Sequence, residues 1–339
     1  MGKITLKDLA RELGVSITLV SRVLNAPLRD DGTPDCDISR ETACRVLEAA
    51  RKHNYRPNRM AAGLRGAKRY LLGVITPDIA NASFSTTGRH IEELAYADGY
   101  SIMFGSSDES ATRQEELLDL FISQEVDGII VTPCAGSESA LRKVIAQGIP
   151  LVIINRNVPP IEGAGRVLQD YSGSTRAVME HLLGNGYRRI EMISENMDVL
   201  SLRDRENSYR DSMLSHGLTP HIYMVESDTQ EIETRQAVRE ALKKGTEALV
   251  LPRILLSINA LKELTDQSIR IPEEMAIVCH DDSPAWITHT PTITYVSQCS
   301  ESVGTLAYRL LRRMMAGADP EEILVPPRLV IGGSTARRN

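Results

Sequence analysis

The sequence predicts an α/β protein in two parts: a three-helix N-terminal headpiece with a short hinge segment behind it, then a body of two doubly wound parallel-sheet subdomains. Three observations predict this. Residues 5–25, TLKDLARELGVSITLVSRVLN, read as two short helices around a glycine turn. From Tyr70 onward, continuous apolar runs alternate with amphipathic helices, the pattern of parallel strands covered on both faces. Charge is also split along the chain: residues 1–69 hold 14 Lys plus Arg against 8 Asp plus Glu, and residues 70–339 hold 25 against 37. Within a net charge of −6, a basic headpiece on an acidic body puts a phosphate-seeking field at one end of the molecule.

Thr5 is placed to N-cap the first helix, with Asp8 three residues on as an acidic variant of the capping box. Leu6, Leu9, Ala10 and Leu13 then form one apolar stripe. Gly14 tolerates the positive φ of a sharp turn, Val15 plugs the angle, and Ser16 caps a second helix whose Val20, Val23 and Leu24 face inward. The outward face keeps Ile17, Thr18, Ser21, Arg22 and Asn25. That set suits a DNA major groove: an apolar contact for a thymine methyl, hydroxyl groups, and an arginine able to grip guanine O6 and N7. Two-helix hairpins with a glycine turn also occur in all-helical folds that never meet nucleic acid, so charge and the following segments decide between the readings.

The stretch APLRDDGTPDCD is a loop by composition, and Ser39 N-caps a third helix whose Val46, Leu47 and Ala50 close the headpiece core. Tyr55 seals its end. After Pro57, residues 58–65 could form about two helical turns before Gly66 stops them, too short a helix to be stable alone in water. It is therefore either helical only when something packs against it or a plain tether. In the body, strands are expected at 71–75, 100–104, 128–131, 151–153, 189–193, 222–225, 248–251 and 276–278. Helices are expected at 87–97, 114–123, 137–146, 172–183, 203–215, 231–242 and 255–264. So many strands exceed one compact sheet, which gives two subdomains facing across a cleft, with ligands at the strand carboxyl ends.

A chain of 339 residues is long enough for several cores, and 42% apolar with 25% charged residues describes a globular protein. No run of eighteen apolar residues could span a bilayer and no secretory signal is visible, so the expected location is the cytoplasm, with no membrane partner. The five cysteines are odd in number and form no C-x-x-C pair, against a disulfide framework or a structural zinc site. His280-Asp281-Asp282 is the one metal-like run, and nothing elsewhere completes a ligand set. No phosphate loop, dinucleotide fingerprint or nucleophile elbow is present, so no enzyme, cofactor or metal is expected.

With headpiece, linker and βα body in sequence, the chain resembles the lactose-repressor (LacI/GalR) family of bacterial transcription regulators along essentially its whole length. The motifs are TLKDLARELGVS followed by VSRVLN, ISRET followed by RVLEAARKHNYRPN, Ala61 with Leu64 in the hinge, and then GVITPDIANASF, DGIIVTP, GIPLVIINR, HLLGNGYRRI, RIPEEMAIV and LVIGGST. The resemblance implies a headpiece at 1–57, a hinge helix at 58–69 and a periplasmic-binding-protein-like body at 70–339. Its first subdomain would take about 70–166 plus 296–324, and its second about 167–295 plus 325–339, with crossovers near 165–168, 291–297 and 324–327. It further implies a homodimer, or a tetramer built from it, on a near-palindromic DNA operator. Ile17, Thr18 and Arg22 would read bases, Thr5, Ser16, Ser21 and Asn25 would support the helix on the backbone, and the hinge residues Asn58, Ala61 and Leu64 would enter the minor groove, Leu64 as an apolar wedge.

A small effector, a sugar or sugar derivative, would sit in the cleft against Asn81, Ser83, Phe84, Arg205, Arg253 and Asp281. Arg205 and Asp281 suit a polyhydroxylated ligand, since each can take two adjacent hydroxyls. The sequence departs from the family pattern in four places. The loop between Asn25 and Ser39 is long and acidic (Asp30, Asp31, Asp35, Asp37) and is expected to bulge away from DNA. Leu19 stands where a phosphate-reaching threonine is common. Pro252-Arg253-Ile254 replaces a sugar-binding Asn-Asp pair, and Gly332 replaces a frequent arginine. These changes open the alternatives of an acidic or phosphorylated metabolite, or a partner protein, as the controlling ligand. A ligand-binding protein without regulatory DNA binding is the more distant reading.

Overall fold

The structure, a computed structural model, describes residues 4–26, 29, 33–53, 55, 69–156, 158–197, 199–326 and 328–336, with the backbone alone for Asn25. The chain divides into two compact units, Met1–Arg69 and Tyr70–Asn339. In the first, three helices pack together: α1 (Leu6–Leu13), α2 (Ile17–Asn25) and α3 (Arg40–Lys52). Thr5 accepts from the Asp8 amide through its hydroxyl oxygen, and the Asp8 carboxylate accepts from the Thr5 amide at 3.0 Å, a complete capping box. Ser16 and Ser39 cap α2 and α3 in the same way, from the amides of Leu19 and Thr42. Leu9, Ala10, Val20, Val23, Ala43, Val46, Ala49 and Ala50 form the core, with Leu19, Leu24, Leu47 and Tyr55 packed on its rim.

So small a core needs ties at its edges. The Arg45 guanidinium donates to the Leu13 carbonyl at 3.3 Å, and Glu12 pairs with His53 at 2.7 Å and Lys52 at 3.5 Å, joining α1 to the end of α3. In the long loop, Arg29 holds Asp35 through two nitrogens at 2.7 and 3.0 Å, and Cys36 and Ile38 pack against the headpiece core. The described part of this loop is thus anchored on the headpiece through its apolar members, while Asp35 and Asp37 stay exposed. Asp30 and Asp31 lie outside the described residues, as do Asn58, Ala61 and Leu64.

The second unit contains two six-stranded sheets. The first is parallel throughout, in the order β11 (Glu322–Val325), β5 (Ala164–Gln169), β4 (Leu151–Ile154), β3 (Gly128–Val131), β1 (Leu71–Thr76), β2 (Ser101–Ser106). One face is covered by α4 (Ala82–Ala97) and α12 (Ser300–Met315), which place Ile91, Val303, Ala307 and Leu311 against Leu72, Val74 and Ile130. The other carries α5 (Ala111–Ser123) and α6 (Glu138–Ala146), with Leu118, Phe121, Leu141 and Val144 on Ile75, Ile129 and Val131.

The second sheet runs β12 (Arg328–Val330), β10 (Thr294–Ser297), β9 (Ala276–His280), β8 (Ala248–Leu251), β6 (Ile190–Glu195), β7 (Ile222–Val225), parallel except for β12. Helices α7 (Tyr171–Gly184) and α8 (Leu200–Ser215) cover Met192, Val250 and Val278. Helices α9 (Gln230–Lys244) and α10 (Ile254–Asp266) cover Leu249, Leu251 and Ile277, with Trp286 of the short α11 (Pro284–Thr288) in the same cluster. Consecutive strand residues thus enter opposite cores, which is why the strands read as unbroken apolar runs. Among the described residues no helix is long and apolar enough to cross a membrane.

The chain changes sheet at slightly different places from those the sequence suggests. Gln169 still pairs with Val325 in the first sheet, so β5 passes the bound expected near 166. Ser297 pairs with Arg328 in the second sheet, so β10 extends to the far end of the crossover expected at 291–297. The backbone ladder sets these points, and a ladder continues through polar residues that end an apolar run.

One ion cluster fastens α9 to α10. The fully buried Glu263 accepts from the Nε atoms of Arg235 and Arg239, each at 2.6 Å. Those hydrogen bonds, Arg239's above all, pull its carboxyl down to about 2 from an ordinary 4.5. Because the folded value lies below the unfolded one, the cluster stabilises fully above pH 4.5 and loses its effect as pH falls toward about 2. Glu263→Gln is expected to cost about 1–3 kcal/mol at pH 7 in chemical denaturation, with the gap to the parent protein shrinking at pH 3.

Candidate functional site

Two surfaces carry the residues singled out by sequence, one in each unit. On the headpiece, Ile17 is 44% exposed, Thr18 and Arg22 are exposed, and Ser21 is half-buried, all on α2. Gly14 at φ +66° turns the chain between the helices, and its amide donates back to α1. The Thr5 and Ser16 hydroxyls serve as caps, so each positions a helix through its own backbone. Leu19 packs on the headpiece core, which accounts for its apolar character. The result is a rigid, doubly capped helix pair presenting an apolar side chain, a hydroxyl and a guanidinium.

In the body a half-open cleft lies at the carboxyl ends of both sheets, the place where ligands bind in folds of this kind. All six side chains named from the sequence line it: Asn81, Ser83 and Phe84 from the first subdomain, Arg205, Arg253 and Asp281 from the second. Asn81 follows β1 and caps α4 by accepting from the Ser83 amide at 3.0 Å. The structure adds Glu109, Asn155, Arg156, Tyr171, Ser201, Gln298 and Ser300, among others. Asn155 and Arg156 end the motif GIPLVIINR directly after a strand, the same placement that marks Asn81 and Asp281, so their position was available in the sequence.

The cleft is ionic and largely self-paired. Arg205, 5% exposed, donates to the Pro252 carbonyl at 2.7 Å, lies 3.9 Å from Asp281, and stacks 4.7 Å over the Tyr171 ring. Burial pushes the Tyr171 phenol up to about 12, and its hydroxyl donates to the Asn155 carbonyl. Asp281 accepts from the Gln298 side-chain amide. Arg156 grips Glu109 with both terminal nitrogens, at 2.5 and 2.6 Å. Arg253, expected to offer its charge to a ligand, is already paired with Glu195 at 2.8 Å.

Glu109, Asn155 and Asp281 all hold positive φ, at +60°, +63° and +71°. Such backbone costs about 1–3 kcal/mol each and clusters where side chains must be aimed. Behind the wall, burial and the nearby Arg205 cation drive His280 well below its ordinary range, so its imidazole is neutral.

One expectation changes. Gly332 is not a cleft residue; a Cβ there would come within 2.6 Å of the Thr292 carbonyl oxygen, so close packing demands glycine. Among the described residues no group of three or more His, Cys, Asp or Glu could hold a metal ion, His280-Asp281-Asp282 included. The cysteines divide: Cys134 and Cys279 are buried, and Cys36, Cys44 and Cys299 are partly or fully exposed.

A helix-turn-helix unit with a polar outer face, joined to a two-sheet body with a polar cleft, defines a DNA-binding regulator carrying a ligand-binding-type body. Comparison with known proteins agrees. Residues 5–58 match the model for bacterial regulatory proteins of the lacI family, and residues 179–335 match a periplasmic binding protein-like domain. Catabolite control protein A of Staphylococcus xylosus is 26% identical over 98% of this chain and 99% of its own length. The HTH-type transcriptional regulator KdgR of Bacillus subtilis is 28% identical over 92% of each chain. The crystal structure of a lac repressor dimer bound to operator and an anti-inducer superposes with a TM-score of 0.81 at 21% identity, covering 99% of this chain and 100% of that one. The chain thus carries a lacI-family helix-turn-helix domain followed by a periplasmic-binding-protein-like domain, the make-up of a DNA-binding transcription regulator homologous to catabolite control protein A and KdgR.

The turn gives a direct test of the headpiece. A Cβ at Gly14 would meet nothing within 4 Å, so any penalty there is one of backbone conformation alone. Gly14→Ala is expected to destabilise the headpiece by about 1–2 kcal/mol and Gly14→Asn by less, because asparagine tolerates the left-handed region. Scanning calorimetry that resolves the headpiece transition from that of the body would show the order.

Proposed function

We propose that this regulator is a repressor which binds a near-palindromic operator as a homodimer and is controlled by a small polyhydroxylated effector in the body cleft. The observation that carries the reading is the exposed Ile17, Thr18 and Arg22 row on a helix fixed at its start by the Ser16 cap and anchored underneath by Val20 and Val23. In this reading Ile17 contacts a thymine methyl, Arg22 takes a guanine through two hydrogen bonds, and Thr18 adds a hydroxyl contact. Ser21, Asn25, Thr5 and Ser16 hold the helix to the phosphate backbone, and Asn58, Ala61 and Leu64 of the hinge act in the minor groove between half-sites. The chain acts in the cytoplasm, where the DNA is. On the effector side, Asp281 and Arg205 offer a carboxylate and a guanidinium within 3.9 Å of each other, a pair that can bind adjacent hydroxyls from both sides.

Selection of bound fragments from genomic DNA, followed by quantitative binding, tests the DNA half. A salt-sensitive preference for one class of inverted-repeat fragment is expected, and equal binding to random DNA would refute the proposal. Arg22→Ala should lose about 1–3 kcal/mol at a single base position and relax choice there; a uniform loss over all sequences would show that Arg22 touches only phosphate. Leu64→Ala should reduce operator bending in a gel-phasing assay while sparing weak non-specific binding, and unchanged bending would remove the wedge role.

A further inference from the structure

We propose that the effector carries an anionic group, a carboxylate or a phosphate, docked on Arg253 and Arg205 at the N-terminus of α10. This rests on the reading of the cleft as an effector site. Arg253 occupies the N-cap of that helix, a position that favours a hydrogen-bond acceptor. A guanidinium cannot accept, and its charge has the same sign as the helix N-terminus, so the sequence breaks two local rules at one residue. No side chain caps the helix, and Arg253 lines the cleft.

A second cation stands beside it, since Arg205 donates at 2.7 Å to the carbonyl of Pro252, the residue just before Arg253. Arg205 lines the cleft, and its Nε atom, fully buried, has no hydrogen-bond partner. The N-terminus of α8 opens on the same wall through Val199, Ser201 and Leu202 and also lacks a side-chain cap. Two uncapped helix starts and two arginines lining the same wall form an anion cradle.

Glu195 is the counter-charge that holds the cradle in the absence of ligand. It is 3% exposed, pairs with Arg253 at 2.8 Å, and accepts from the Ser227 hydroxyl at 2.5 Å. An entering anion shares Arg253 with Glu195, whose other oxygen keeps the Ser227 hydrogen bond. The hydroxyls of the same ligand are left to Asp281 and to the asparagine and serine side chains of the first subdomain. Neutral sugars fill that part alone and leave the cradle empty.

Thermal shift and titration calorimetry on the full chain test this with gluconate, glucuronate and glucose 6-phosphate set against glucose and sorbitol. The anionic probes are expected to bind at least tenfold more tightly than the neutral ones, with a preference that falls as salt is raised. Gluconate against glucose 6-phosphate distinguishes carboxylate from phosphate. Arg253→Gln should abolish the preference and Arg253→Lys should keep most of it, with the ligand-free melting temperature reporting whether each variant folds. Neutral probes binding as well as anionic ones, or a preference that survives Arg253→Gln, overturns the anion cradle and leaves the effector site standing. Absence of any shift with all five probes, while operator binding persists, overturns both.

Discussion

The cleft is organised around one buried guanidinium. A charge as enclosed as that of Arg205 is unstable unless it is held on several sides, and each of its supports belongs to a different segment. Pro252 supplies a carbonyl from the loop after β8, Asp281 a carboxylate from the loop after β9, and Tyr171 a ring from the first turn of α7. Tyr171 in turn reaches the Asn155 carbonyl on the first subdomain. Loops from both subdomains are thereby set by contacts traceable to Arg205, and disturbing it disturbs both walls.

Gln298 does for the crossovers what Arg205 does for the loops. It lies just after β10, where the chain returns from the second sheet toward the first. Its side chain donates to Asp281, its amide donates to Asp282 at 2.8 Å, and its carbonyl accepts from Gln169 at the end of β5. Asp281 therefore answers to two of the three crossovers as well as to Arg205. A ligand that pulls on Asp281 would therefore act on segments that join the two sheets, the kind of connection through which a small displacement at a site can become a rigid-body movement.

Much of this was legible in the sequence, for physical reasons that also mark where legibility stopped. The headpiece was readable because its signals are local: a capping box three residues long, a glycine turn and an apolar stripe. The central strands were readable because burial on both faces makes them apolar throughout. The strands around the crossovers were not, since AGRVLQ, TYVS and RLV mix polar residues into short runs, and Arg166 of β5 pairs with Glu322 at 2.5 Å, a partner 156 positions away. Helix α12 has the helical apolar period of Val303, Ala307, Leu310 and Leu311, yet it packs on strands from the other end of the chain, so periodicity alone does not assign it to a subdomain. The cleft residues were placed by their position after strands, whereas their pairing was hidden. Glu109 with Arg156 and Glu195 with Arg253 are contacts between loops that only the folded sheets bring together.

That pairing matters for how the cleft discriminates. Arg156 is neutralised by Glu109 on two nitrogens, whereas Arg253 meets Glu195 through a single nitrogen and remains 28% exposed on its side chain. A ligand competing for Arg156 must break a bidentate pair that is preorganised and largely desolvated; one competing for Arg253 meets a looser pair at a helix start whose dipole already favours an anion. The difference in the strength of the two existing pairs, more than the count of cations, makes the second subdomain the electrostatically receptive wall. Under the proposed reading, the first subdomain, with Asn81 and Ser83 at the start of α4, would be left to read neutral groups. Selectivity in such a site comes from which internal contacts a ligand can replace without leaving a buried charge alone, and the two walls of this cleft differ in that respect.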